Sequence, residues 1–249
     1  MKRILPLLLG FVFLYSCKKT ATTIDPTALP NSYSDQQLGA SANDMLSDNK
    51  YTSLAIEVQY MPGYALDAAC ITNVTNYLNS LCNKPGGITI NQIQIGANGD
   101  TLNVDKVAII EKQNRTAYTS GATLALYILV TDGYDTSVNT LGFAYRNTSI
   151  CLFGKDIFNN SGGVGEVTRV NLETSVIEHE LGHILGLVNL GSPMQVFHQD
   201  TVHGKHCNNT KCLMYYAIET HGAFGMLAPN NVPVLDSNCK NDLKANGGK

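Results

Sequence analysis

The sequence predicts an α+β domain in which a twisted mixed sheet carries packed helices and is followed by an irregular C-terminal half. Three observations carry this prediction. Between residues 53 and 130, stretches with two-residue apolar alternation take turns with stretches whose apolar residues recur every three or four positions. A long amphipathic helix is then predicted from about Asn171 to Gly186, with Asn171 as N-cap and Gly186 as its stop. Beyond Gly186 the chain is rich in Gly, Asn, Pro and His, a composition suited to loops.

The first seventeen residues read as a processing signal. Lys2 and Arg3 form a short positive flank, and Ile4 to Tyr15 is an apolar stretch too short to span a bilayer as a stable helix. The end of this stretch, Leu14-Tyr15-Ser16-Cys17, resembles the lipobox of bacterial lipoproteins. That resemblance implies that residues 1–16 are removed and that Cys17 becomes a lipid-bearing N-terminus. An ordinary secretory signal cut elsewhere is the alternative, and either route takes the protein out of the cytoplasm. The expected location is the cell envelope, facing the periplasm or the cell surface, and Lys18 and Lys19 favour the periplasm. Residues 17–50, rich in Thr, Ser, Asp, Asn and Pro, are expected to be a flexible tether, with the folded domain spanning 51–249.

In that domain, Leu54, Ile56 and Val58 alternate with Ala55, Glu57 and Gln59 in a strand over 53–60. Residues 65–82 are predicted helical, with Leu66, Ala69, Val74, Leu78 and Leu81 on one broad face. Ile88, Ile90, Ile93 and Ile95 mark a second strand; a helix follows over 104–113, then a strongly apolar strand over 123–130. Residues 142–153 are expected to form one further strand, and a short helix closes the chain near Asn238–Ala245.

Hydrophobic residues make up 44% and charged residues 15%, which fits a globular domain rather than a disordered chain. The formal charge is −3, and removal of Lys2 and Arg3 brings the mature chain near −5. No basic run interleaved with aromatics occurs, so nucleic acid is not an expected partner. A peptide or protein substrate is expected instead, bound by a monomer.

The chemistry concentrates in Val176-Ile177-Glu178-His179-Glu180-Leu181-Gly182-His183-Ile184-Leu185-Gly186. Histidines four apart on a helix project from one face, so His179 and His183 can share a metal ion. Glu180, beside the first, can reach a water there without ligating. Zinc would polarise water and a peptide carbonyl, with Glu180 as general base and later acid.

Gly186, three residues after His183, makes the segment resemble the metzincin metallopeptidases, whose pattern is HExxHxxGxx followed by His or Asp and, later, a methionine turn. The resemblance implies a metzincin-like zincin fold and zinc-dependent endopeptidase activity. This chain departs from it at Asn189, a poor zinc ligand at the third-ligand position. Further on, His206-Cys207-Asn208-Asn209-Thr210-Lys211-Cys212-Leu213-Met214 resembles the archaemetzincin segment. With residues 189–205 as an insertion, His206 becomes the third ligand and Met214 the methionine of the turn. His198 and His203, inside the insertion, are the alternative third ligands, His198 ahead of His203 because an adjacent acid could orient it. Tyr216, two residues after Met214, is the candidate oxyanion donor or else a packing residue. The segment before the helix implies an edge strand that binds substrate through Gly142, Ala144 and Tyr145.

Six cysteines follow Cys17. Cys70 and Cys82 fall on one predicted helix, ~18 Å apart, beyond disulfide reach. Archaemetzincins hold a second, structural zinc with four cysteines, but here Cys239-Lys240-Asn241-Asp242 puts an aspartate at the fourth place. In an oxidising compartment a disulfide among Cys207, Cys212 and Cys239, first of all Cys207–Cys212, is expected ahead of a second zinc. A non-catalytic lipoprotein that binds metal or peptide on the same fold is the rival from another class, and a cell-wall amidase differs only in substrate. Cys70, Asp25 and Asp35 are the groups that could block the zinc in a latent form.

Overall fold

A computed structural model of the protein describes residues 25–137, 139–227 and 231–249; the predicted signal segment and Cys17 lie outside them. Along the chain come α1 (Ala42–Leu46), β1 (Ser53–Tyr60), α2 (Ala68–Leu81), β2 (Ile88–Gln94), β3 (Thr101–Leu102), α3 (Val104–Asn114), β4 (Thr123–Thr131) and β5 (Tyr134–Asp135). They are followed by β6 (Gly142–Arg146), β7 (Ser149–Phe153), α4 (Gly154–Asn159), α5 (Arg169–Ile184), α6 (Ala223–Met226) and α7 (Ser237–Ala245).

The main sheet has the order β2-β1-β4-β7-β6. Its first four strands are parallel, and β6 is an antiparallel edge on β7. The fold is therefore mixed α/β with a mostly parallel sheet. Alternation in β1 sends Leu54, Ile56 and Val58 into the larger core, which they share with Leu78 of α2 and Val176, Ile177 and Leu181 of α5. β4 is buried on both faces, as a central parallel strand must be. Its Tyr127 and Leu129 meet Val107 and Ile110 of α3 on the opposite side. Helices thus cover both faces of the sheet. No helix among the described residues is long and apolar enough to cross a membrane.

The predicted elements at 53–60, 65–82, 88–95, 104–113, 123–130 and 238–245 are present with small shifts at their ends. Residues 142–153 form a hairpin rather than one strand: the chain reverses at Asn147 and Thr148, with a register irregularity between Ala144 and Arg146. The long helix starts at Arg169, capped by Thr168, whose hydroxyl accepts from the Asn171 amide at 3.2 Å. Asn171, the expected cap, is therefore inside the helix, three residues past the observed one.

The largest correction concerns the expected tether at 17–50. From Asp25 onward this segment is part of the domain. Met45 and Leu46 are fully buried in the main core. Lys84 Nζ donates to the carbonyls of Asp44 (2.8 Å), Tyr51 (2.6 Å) and Ser47. Asn147 Nδ2 donates to Tyr33 O (2.6 Å) and Ser41 Oγ (2.7 Å), and Arg146 pairs with Asp35 at 2.8 Å. Polar composition suggested disorder, but these side chains satisfy backbone groups that would otherwise be buried without partners.

Candidate metal centre

Helix α5 is buried from Leu172 to Ile184. Packing fixes its rotation, with Val176, Ile177, Leu181 and Ile184 in the core, and the four-residue spacing places His179 and His183 on a common face. The helix ends where Gly186 takes a left-handed φ of +79°. A Cβ there would stand 2.5 Å from the Ser192 amide and 2.8 Å from Ala42 Cβ, so only glycine allows this exit beside α1. Val188 and Asn189 also adopt positive φ, 52° and 68°. Asn189 serves this turn.

The chain returns to bring His206 against the helix. Its ring centroid lies 5.3 Å from that of His179 and 5.1 Å from that of His183. His179 Nδ1 faces the Leu213 carbonyl at 2.7 Å, and His206 Nδ1 faces the His203 carbonyl at 2.8 Å. A carbonyl only accepts, so both Nδ1 atoms carry the proton and both Nε2 atoms present whatever the site binds. His183 Nε2 lies 3.2 Å from His179 Nε2. His206 Nε2 and Glu180 Oε1 are buried with no hydrogen-bond partner. Converging imidazole nitrogens and orphaned polar atoms are what a divalent cation such as zinc would satisfy, so the residues fit that ion.

A fourth group faces the same point. Glu219, at the end of the 3-10 turn Tyr216–Glu219, brings Oε1 to 3.3 Å from His206 Nε2 and Oε2 to 3.6 and 3.8 Å from the Nε2 atoms of His179 and His183. Sequence reasoning missed it. No local sequence marker pointed to it, because its place is set by the 3-10 turn that carries it.

Burial, then the negative charge of Glu219, pushes the Glu180 carboxyl well above the usual carboxylate range. Burial opposes ionisation of Glu219 too, but the neighbouring His179 and His206 imidazoles outweigh it and pull its pKa down. Burial, then His179, drives His183 well below its ordinary value and favours the neutral imidazole that a metal needs. Glu180 Oε2 also accepts the Ala144 amide of edge strand β6 at 2.7 Å. Of the three residues expected on that edge, Ala144 thus contacts the site. Gly142 packs under α5, where an added Cβ would stand 3.0 Å from Val176 Cγ1, and the Tyr145 hydroxyl donates to Glu111 at 3.0 Å.

Tyr216 lies near the cluster, its ring 6.5 Å from that of His206. The ring is stacked on His203 with centroids 3.5 Å apart and an interplanar angle of 8°. His203 is in turn held by Asp200 at 2.7 Å. The stretch read as an insertion therefore braces Tyr216.

His198 is elsewhere, in a second cluster. Its Nε2 meets the buried Asp242 carboxylate at 2.7 Å, and its Nδ1 lies 3.4 Å from Cys207 Sγ and 3.9 Å from Cys239 Sγ. Cys207, Cys212, Cys239 and Asp236 converge there in a second group that could hold a metal. Cys212 and Cys239 sulfurs are 3.6 Å apart, and the amides of Met214 and Asp236 each point at Cys212 Sγ from 3.4 Å. These contacts hold the Cys212 thiol well below its ordinary pKa, the neighbouring Cys207 and Cys239 thiols contributing most. The expected Cys207–Cys212 disulfide is not formed; all six described cysteines are free thiols. The turn from Cys207 to Cys212 and the start of α7 aim the three sulfurs at a common centre rather than pairing two of them.

The candidate blocking groups also lie away from the cluster. Cys70 is buried in the main core, Asp35 pairs with Arg146, and Asp25 caps its own turn through Thr27.

No family model matches the chain, and no curated protein matches it. Among solved structures it is similar to archaemetzincin from Methanopyrus kandleri, at 14% identity and a TM-score of 0.48 over 80% of this chain and 96% of that one. It is also similar to metalloproteinase-II from Bacteroides fragilis, at 14% identity and a TM-score of 0.41. That match takes in 87% of this chain and 58% of the other, so the chain spans little more than half of the latter's length.

Proposed function

We propose that the protein is a zinc-dependent peptidase of the cell envelope, with His179, His183 and His206 as metal ligands and Glu180 as general base. The observation that carries this reading is the convergence of three imidazole nitrogens beside a buried carboxylate on the same helix. A zinc ion held there would act as a Lewis acid toward water and a peptide carbonyl. Glu180 takes the proton from the attacking water and returns it to the leaving amine. Tyr216, braced by His203, is the candidate donor to the oxyanion. The substrate is an extended peptide lying along edge strand β6.

Cys207, Cys212 and Cys239 are assigned to a second, structural zinc, with His198 oriented by Asp242 as the neighbouring imidazole. Cys17 is assigned as the lipid attachment site that tethers a monomer to the membrane.

The test is metal analysis beside hydrolysis of a peptide library. Wild type should bind zinc and cleave, whereas Glu180→Gln should keep the metal and lose about 10²–10⁴-fold in rate. A variant that keeps its zinc and cleaves like wild type would sink the mechanism. A second reading, a non-catalytic metal-holding lipoprotein, draws support from Glu219, whose carboxylate faces the same point as the three imidazoles.

A further inference from the structure

Glu219 belongs to the geometry of the imidazole cluster and not to its rim. Ligand atoms held about 2.0–2.1 Å from one tetrahedral ion stand about 3.3–3.4 Å from each other. Separations around the cluster are 3.2 Å for His179 Nε2 to His183 Nε2 and 3.3 Å for His206 Nε2 to Glu219 Oε1. Glu219 Oε2 adds 3.6 Å to His179 and 3.8 Å to His183. One carboxylate therefore spans all three imidazoles at the spacing of ligands around a common ion. Hydrolytic zinc sites keep one position open, and structural ones are closed by four protein ligands. By this criterion the cluster is closed.

We propose that Glu219 is a fourth protein ligand of the metal held by His179, His183 and His206, and that this closed shell is the resting state of the site. The inference rests on the zinc reading above and adds a control to it. An exogenous oxygen ligand, whether a substrate carbonyl or a hydroxamate, must displace Glu219 before it reaches the ion. The side chain has room to leave: it is 24% exposed, and the other three groups are nearly or fully buried. Its backbone stays fixed during such a swing, because the Glu219 carbonyl accepts the Leu141 amide at 2.7 Å and Thr140 bridges Thr220. That strap joins the turn carrying Glu219 to the residues just before β6.

Cobalt(II) substitution of the full chain reads the coordination directly. Wild type, Glu219→Ala, Glu219→Gln and His183→Ala are loaded with Co²⁺. Visible absorption is followed during chelator competition and during titration with acetohydroxamate. Removing the carboxylate should weaken cobalt binding about tenfold or more, the scale on which lost ligand-shell contacts act. It should also let acetohydroxamate change the spectrum at concentrations at least about tenfold lower than in wild type. The glutamine variant, which keeps the shape but not the charge, should follow alanine in hydroxamate response and guards against a folding artefact. If both Glu219 variants match wild type in metal affinity and hydroxamate response while His183→Ala loses the metal, Glu219 is no ligand and the zinc reading survives. If His183→Ala holds cobalt as tightly as wild type, the zinc reading fails and this proposal with it.

Discussion

Gly182, between Leu181 and His183 on α5, lies directly against the sulfur of Met214: a Cβ on Gly182 would stand 2.3 Å from Sδ and 3.0 Å from Cε. Met214 is fully buried, and its carbonyl accepts the Cys207 amide at 2.8 Å, so the same residue touches the helix and anchors the segment just after His206. Gly182→Ala should therefore cost about 1–3 kcal/mol of stability through overpacking. Met214→Ala should cost about 2–5 kcal/mol through the cavity it leaves. The double variant should be less damaged than the two losses added together, because truncation makes room for the new methyl group. Urea unfolding of the four proteins measures this coupling, and strict additivity would mean the contact is not felt.

The two clusters predict a separable pattern of metal loss. His206→Ala and His183→Ala should remove the same zinc equivalent, and His198→Ala should instead remove the one lost in Cys239→Ala. Both clusters are knit by direct contacts, at 3.2 Å within the first and 3.4 Å within the second. Elemental analysis of the four purified variants is sufficient. If His198→Ala and His183→Ala depleted one and the same equivalent, the assignment of His198 to the second cluster would be wrong.

What the sequence revealed and what it concealed follows from the range of each signal. His179, Glu180 and His183 were readable because their relation is one turn of one helix. His206 needed the Cys-x4-Cys-x-Met run as a marker, since residues 189–205 separate it from the motif. Glu219 had no such marker: its place beside the imidazoles depends on the 3-10 turn after Tyr216 and on the strap to Leu141. The strands at 53–60 and 123–130 were plain from apolar alternation or continuity, whereas the reversal at Asn147 is made by side-chain bonds to Tyr33 and Ser41, more than a hundred residues away. The N-terminal segment misled for the same reason. Its polar composition is real, but its partners are distant.

Behind β6 lies a buried charge network that should be sensitive to truncation. Glu111 accepts from Arg115 at 2.7 Å, Ser149 at 2.6 Å and Tyr145 at 3.0 Å, and it pairs with Arg146 at 2.5 Å. Arg115 and Glu111 side chains are both fully buried. Glu111→Ala leaves the buried Arg115 guanidinium without a carboxylate and Arg146 with Asp35 alone, and should cost about 3–5 kcal/mol. Glu111→Gln keeps the hydrogen-bond acceptor and should cost less. Chemical denaturation that ranks glutamine below alanine in stability would overturn this account of the network.

Met45 offers the sharpest test of where the folded domain begins. A residue in a flexible tether can be truncated with an effect within about 0.5 kcal/mol, because its side chain is solvated in both the folded and unfolded states. Met45 is instead fully buried in the main core, in the short helix whose Ala42 touches the exit of α5 at Gly186. Met45→Ala should therefore cost about 2–5 kcal/mol. Lys84→Met should by itself cost about 1.5–3 kcal/mol, since three carbonyls of this segment share its ammonium group. The loss should extend to the metal centre: loosening α1 removes the wall against which Gly186 turns, so Met45→Ala should also weaken zinc retention under chelator challenge. A Met45→Ala protein with wild-type stability and zinc retention would return residues 25–50 to the status of a tether.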